Sequence, residues 1–157
     1  MEKLTNFEKD DFKFENWNKP QMRKESGEFQ RVVSTFYNSE LLEDRDLIDS
    51  LTNQYETADI TDLDSKIWSV LQNTDSVVLE KDQWGELGEK MDSHGRDWKS
   101  IKDAYERDTS MEAPIIAKLP NGIFHLISGN TRLCVARVIG LIPKIVLLNF
   151  PEEYFKE

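Results

Sequence analysis

The chain has 157 residues, 38% of them hydrophobic and 32% charged, with eight Phe, four Trp and four Tyr. That is the length of one domain, or one domain with an extension, whose core is large enough to fold without disulfides or metal, and the aromatic content argues against wholesale disorder. Thirty acidic against twenty basic residues give a formal charge of −10, which argues against non-specific DNA binding and against docking on an anionic membrane, since both rest on Lys and Arg.

One cysteine, Cys134, and two histidines, His94 and His125, exclude a disulfide framework and any single-chain zinc site of three or four Cys/His ligands. No apolar run approaches the length of a membrane span, and residues 1–6 lack a signal core. The expectation is a soluble cytoplasmic protein. The charge is uneven: from Ala113 onward five basic residues face three acidic ones, a formal +2, which leaves −12 on residues 1–112.

In chain order, residues 1–30 read as an extended arm whose aromatics (Phe7, Phe12, Phe14, Trp17) pin it to the body. Residues 28–53 suit one or two helices with a break near Asn38-Ser39. Val32, Val33, Phe36 and Tyr37 share one face, as do Leu41, Leu42, Leu47, Ile48 and Leu51. Thr61 or Asp62 is placed to cap a helix carrying Leu63, Ile67, Trp68, Val70 and Leu71, which Asn73-Thr74-Asp75 ends. Val77-Val78-Leu79 is β-branched and apolar and predicts a strand. Short helices follow at 83–91 and 97–107, with Ser93-His94-Gly95 as the turn between them.

The last segment is the clearest. Pro114 to Leu119 predicts a strand, Pro120-Asn121-Gly122 a hairpin turn in which Asn-Gly supplies positive φ angles, and Ile123 to Ile127 the return strand. Ser128-Gly129-Asn130 is a loop before an apolar helix, Thr131 to Ile139, closed by Gly140. Lys144 to Phe150 is a strand whose unbroken run Ile145-Val146-Leu147-Leu148 calls for cover on both faces.

The junction Ser128-Gly129-Asn130-Thr131-Arg132 is the chemical feature of the sequence. Gly129 permits a sharp turn and close approach of a ligand to the backbone. A first helical turn offers unpaired N–H groups and the positive end of the helix dipole, which favour an anion. Ser128, Asn130 and Thr131 add donors, and Arg132 adds a charge that matches phosphate or carboxylate. A basic patch in an acidic chain steers a polyanion to one place. The plainer reading of the same residues is a polar turn, a helix cap and a solvated arginine; no Walker loop is present.

The stretch from Ala113 through Leu133, then Gly140-Leu141-Ile142-Pro143-Lys144-Ile145-Val146, resembles the ParB/sulfiredoxin-like domain in its order of Pro-led strand, hairpin, strand, Gly-x-x-Arg at a helix start, apolar helix, Gly, Pro and buried strand. The resemblance covers about residues 76–150. It implies an α+β fold in which a mostly helical, acidic extension, residues 1–75, packs on the small mixed sheet of a ParB/sulfiredoxin-like domain at 76–157. It also implies that nucleotide or phosphate binds at Ser128, Gly129, Asn130, Thr131 and Arg132, with Lys118 on the neighbouring strand.

Asn130 stands where sulfiredoxins carry their cysteine, which argues against their chemistry. The flow is closest to the free-serine kinases, although Ser128, Asn130 and Thr131 replace an Asp and two His of that branch. In that comparison Glu86, then Glu89, is the candidate catalytic base, and ATP or another nucleotide with Mg2+ is the implied cofactor set, without a protein-only metal site. Two function classes follow. One is a nucleotide-binding phosphotransferase (kinase) or NTPase acting on a small molecule or nucleotide. The other is a non-catalytic acidic protein of the phage or mobile-element type, which binds a basic protein partner or mimics nucleic acid. A ParB-like nuclease or DNA-binding protein ranks below both, because the sequence pI is near 4.8.

The remaining candidates also have plain readings: Glu86 and Glu89 as solvated carboxylates, Lys118 as an exposed strand residue, and His94 as a turn residue. Likewise His125 reads as a cross-strand partner, Cys134 as core filler, and Arg137 as an ion-pair partner of the acidic helices or a ligand contact.

Overall fold

A computed structural model describes residues 13–21, 26–38, 44–153 and 155–156 of the chain. Its elements run β1 (Trp17–Asn18), α1 (Ser26–Phe36), α2 (Asp44–Thr57), β2 (Thr61–Asp62), α3 (Ser65–Val70), a 3-10 turn (Ser76–Val78), α4 (Trp84–Asp92), α5 (Trp98–Glu106), β3 (Met111–Glu112), β4 (Ile115–Lys118), β5 (Phe124–Ser128), α6 (Asn130–Ile139) and β6 (Lys144–Asn149). The class is α+β. The main sheet has the order β2-β6-β4-β5, with β4 and β6 parallel and the other neighbours antiparallel. A small parallel pair, β1 with β3, stands apart from it.

The sheet separates two cores, and strand alternation assigns each residue to one of them. Ile116, Leu126 and Ile145 join Leu133, Cys134, Val135, Ala136 and Val138 of α6 on one face. Ile115, Ala117, Ile127, Val146 and Leu148 join Phe29, Val32 and Val33 of α1, Tyr37 just past it and Leu51 of α2 on the other. The continuous apolar run of β6 is thus covered on both sides, as its pattern requires. Each aliphatic side chain so removed from water contributes about 1.5–3 kcal/mol.

Helix α6 begins within one residue of its expected start and ends at Gly140, whose φ of +93° accommodates the left-handed cap. The hairpin before it differs in type from the Asn-Gly expectation. Gly122 N–H donates to Leu119 O at 2.9 Å and Leu119 N–H to Ile123 O at 2.8 Å, and the positive φ falls on Gly122 rather than Asn121. The loop therefore turns through Pro120-Asn121, where proline's fixed φ suits the first corner position, and Gly122 closes it as the left-handed third residue.

Two expectations for the first half are corrected. Val77–Leu79 is not a strand: Ser76–Val78 forms a 3-10 turn against α6, anchored by Trp68 Nε1 donating to Ser76 Oγ at 2.9 Å. The β5 edge it could have joined is met instead by Gln72, whose N–H donates to Phe124 O at 2.8 Å while its carbonyl accepts from Leu126 N–H at 3.0 Å. The cap of α3 is Asp64, which accepts from Lys66 N–H at 2.7 Å. Thr61 and Asp62 lie upstream as β2, paired with β6.

The arm is pinned as its aromatics suggest, with Phe14, Trp17 and Tyr105 meeting edge to face at 5.0–5.7 Å. Phe7, Phe12, Leu41 and Leu42 lie outside the described residues, as do the side chains of Leu47 and Ile48. No helix among the described residues is long and apolar enough to cross a membrane.

Candidate functional site

The β5–α6 junction opens onto a cavity of about 760 Å³. Its geometry starts at Gly129, which has a φ of +107° and sits so close to Pro114 that a Cβ there would lie 2.6 Å from the proline Cβ. A close approach that requires glycine is therefore made by Pro114, on the chain's own preceding segment. Just before it, β5 is bulged: Ile115 pairs with Ser128 and Ile116 with Leu126, leaving Ile127 as the extra residue. A bulge bends its strand and re-aims the residues beside it, here Ser128 and the turn into α6.

Among the described residues no side chain caps the start of α6, where the first turn leaves N–H groups without intrahelical partners, and Gly129, Asn130, Thr131 and Arg132 of that start line the cavity. Ser128 Oγ is buried on the same wall with no hydrogen-bond partner among the described residues. Thr131 is partly exposed on this wall as well.

Asn130 does something different from the donor role read from sequence. Its Oδ1 accepts from Thr74 Oγ1 at 2.7 Å and from Asp75 N–H at 2.8 Å, and its Nδ2 donates to Asp75 Oδ2 at 3.0 Å. Both ends of the amide thereby engage the Asn73-Thr74-Asp75 turn. That turn is fixed in place by a positive φ at Asn73 and by Asn73 Nδ2 donating to Leu126 O at 2.9 Å.

Arg132 reaches the cavity but is partly committed: Nη1 donates to Glu112 O at 2.9 Å and lies 3.6 Å from Glu112 Oε1, with the side chain 15% exposed. Its carbonyl accepts from the Tyr105 hydroxyl at 2.9 Å. Burial pushes the Tyr105 phenol well above its ordinary pKa, and the nearby Arg132 charge opposes that in part.

Two further arginines line the cavity that the sequence alone did not single out. Arg31 of α1 is ion-paired to Glu28 at 2.7 Å. Arg96, in the turn between α4 and α5, is exposed and its guanidinium has no partner among the described residues. Asp75 and Glu28 are the acids of the wall. The only local signal for Arg96 was its place after Ser93-His94-Gly95, where Gly95 has a φ of +66°.

Three candidate residues fall elsewhere. Lys118 pairs with Phe124 at the far end of β4 from the Ile115–Ser128 pair, about 10 Å along the strand, and its Nζ lies over the Phe124 ring at 5.9 Å. Glu86 and Glu89 are exposed on α4 and do not line the cavity.

His125 lies on the sheet face opposite to Phe124 and Leu126 and meets Phe36 of α1 edge to face at 5.5 Å. Burial lowers its pKa, with Glu28 raising it and Arg31 lowering it by smaller amounts. Cys134 is fully buried, and burial pushes its thiol up to about 12. Arg137 meets neither acidic helix nor cavity: it stacks on Trp68 at 4.9 Å and donates to Leu79 O at 2.9 Å.

The class so defined is an α+β protein with an arginine-lined cavity at the start of its central helix. Comparison with protein-family models, with curated proteins and with solved structures finds no match for this chain.

Proposed function

We propose that the chain binds a phosphorylated ligand, a nucleotide or other phosphorylated small molecule, in the cavity at the start of α6, in the manner of a ParB/sulfiredoxin-like domain. The observation that carries this reading is the pairing, on one cavity, of an uncapped helix start with a guanidinium, Arg96, that has no partner among the described residues. Backbone N–H groups and the helix dipole favour an anion there, and Arg96 adds a charge not already spent on the protein. The volume of about 760 Å³ is that of a small-molecule site. ATP or another nucleotide with Mg2+ is the set the sequence resemblance implies.

A phosphotransferase or NTPase activity rests on that resemblance. The geometry favours neither Glu86 nor Glu89 as its base, because both stand away from the cavity. Of the two acids on the wall, Glu28 is held by Arg31, which leaves Asp75 as the carboxylate best placed to meet a ligand.

The test is a thermal-shift screen of ATP, ADP, CTP and GTP with and without Mg2+. A ligand at 100 times its dissociation constant stabilises the fold by about 2.7 kcal/mol, a rise of several degrees in a chain of this length. No shift with any of the four overturns the nucleotide reading and leaves an acidic protein that recruits a basic partner as the better account of the −10 charge.

A further inference from the structure

The charges around the cavity nearly cancel, and that constrains what can enter it. Glu28 neutralises Arg31 at 2.7 Å, and Glu112 stands 3.6 Å from Arg132. What remains is Arg96 against Asp75. The Asp75 carboxylate is half-buried, and its Oδ2 is fixed by Asn130 Nδ2 at 3.0 Å. Its Oδ1 has no hydrogen bond, and no cation pairs with the group, among the described residues. Because Asn130 is also the first residue of α6, a phosphate seated on the first turn of that helix is brought against this carboxylate. Like charges that share a partly enclosed site repel, and one guanidinium does not offset a group carrying two or more negative charges.

A divalent cation removes the conflict. Magnesium is commonly held by one or two carboxylates together with the ligand's own phosphate oxygens, keeping waters in its remaining positions. Among the described residues no three His, Cys, Asp or Glu side chains come together to hold a metal by themselves, so an ion here must arrive with the phosphates. We propose that the anion enters as its divalent-cation complex and that Asp75 Oδ1 is the protein's ligand to the ion, with Asn130 holding the carboxylate in position. This rests on the phosphate site proposed above and adds the residue of this chain that confers its metal dependence.

The test is calorimetric titration of the full chain with inorganic pyrophosphate, in Mg2+ and in EDTA, for the wild type and Asp75→Asn. The substitution keeps an oxygen to accept from Asn130, and a thermal melt of each protein confirms the fold. The expected result is at least tenfold tighter binding with Mg2+ in the wild type and no Mg2+ enhancement in Asp75→Asn. The variant should also bind metal-free pyrophosphate more tightly than the wild type does, because the repelling charge is gone. An Mg2+ enhancement that survives in Asp75→Asn overturns the proposal. So does weaker metal-free binding by the variant, which would mean that Asp75 accepts a hydrogen bond from the ligand directly. Absence of pyrophosphate binding under every condition overturns the phosphate site itself, and this inference with it.

Discussion

Asn130 and Asp75, 55 residues apart in the chain, grip each other at both ends: the Asn130 amide donates to Asp75 Oδ2 at 3.0 Å, and its oxygen accepts the Asp75 N–H at 2.8 Å. This double contact joins the start of α6 to the turn that follows α3, and it sets a carboxylate beside an uncapped helix terminus. Removing the amide leaves the Asp75 N–H and the Thr74 hydroxyl without their acceptor. Asn130→Ala is therefore expected to destabilise the fold by about 1–3 kcal/mol, read as a lower midpoint in urea with an unchanged slope. A midpoint equal to wild type would show that the grip is incidental.

Gly129 is required twice over, by its φ of +107° and by the Pro114 ring against it. Gly129→Ala should cost about 1–3 kcal/mol from the backbone alone, and more from the clash. Adding Pro114→Ala should recover little, since the Pro114 Cα, 2.9 Å from the new Cβ, remains in place. Full recovery in the double variant would show that the proline ring, and not the backbone conformation, sets the requirement.

The three arginines of the cavity should separate into binding and structural roles. Arg96 is exposed and unpartnered among the described residues, so Arg96→Ala should leave stability within about 0.5 kcal/mol of wild type. It should weaken binding of whichever nucleotide gives a thermal shift by about 1.5–3 kcal/mol, the range for hydrogen bonds to charged groups. Arg132→Ala removes the hydrogen bond to Glu112 O and strands part of the β3 contact, so it should lower the melting temperature of the ligand-free protein as well. Equal nucleotide affinity in wild type and Arg96→Ala would remove Arg96 from the site.

The packing of His125 of β5 against α1 gives stability a pH dependence of known sign. Burial is the largest cause of its lowered pKa, so the unfolded chain takes up the proton more readily than the folded one. The stabilisation from keeping the ring neutral is complete above the ordinary imidazole value of 6.5 and is lost as pH falls through and below it. Melting temperatures measured between pH 7.5 and pH 5 should therefore fall more steeply in the wild type than in His125→Gln. Parallel curves would place the pH dependence in other groups.

Local signals in the sequence determined the unit from β4 to β6. Pro120, Gly122 and Gly140 mark their turns by backbone conformation, and the run Ile145–Leu148 states its own burial on both faces, so the hairpin, the central helix and the covered strand were all legible without knowing what packs on them. The Ser128–Arg132 turn was legible as a helix start for the same reason. Which residues meet that turn was decided only by the tertiary structure. Asp75, Arg31 and Arg96 reach the cavity from three segments far away in sequence, and neither propensity nor spacing encodes a contact of that range. The same separation explains why Asn130 read as a free donor when its amide engages Asp75, and why Arg132 read as a free charge when Glu112 already holds it. It also explains why Val77–Leu79 read as a strand. Its residues favour one, but Gln72 takes the sheet edge and α6 takes the segment, because pairing is settled by which backbone arrives at a free edge.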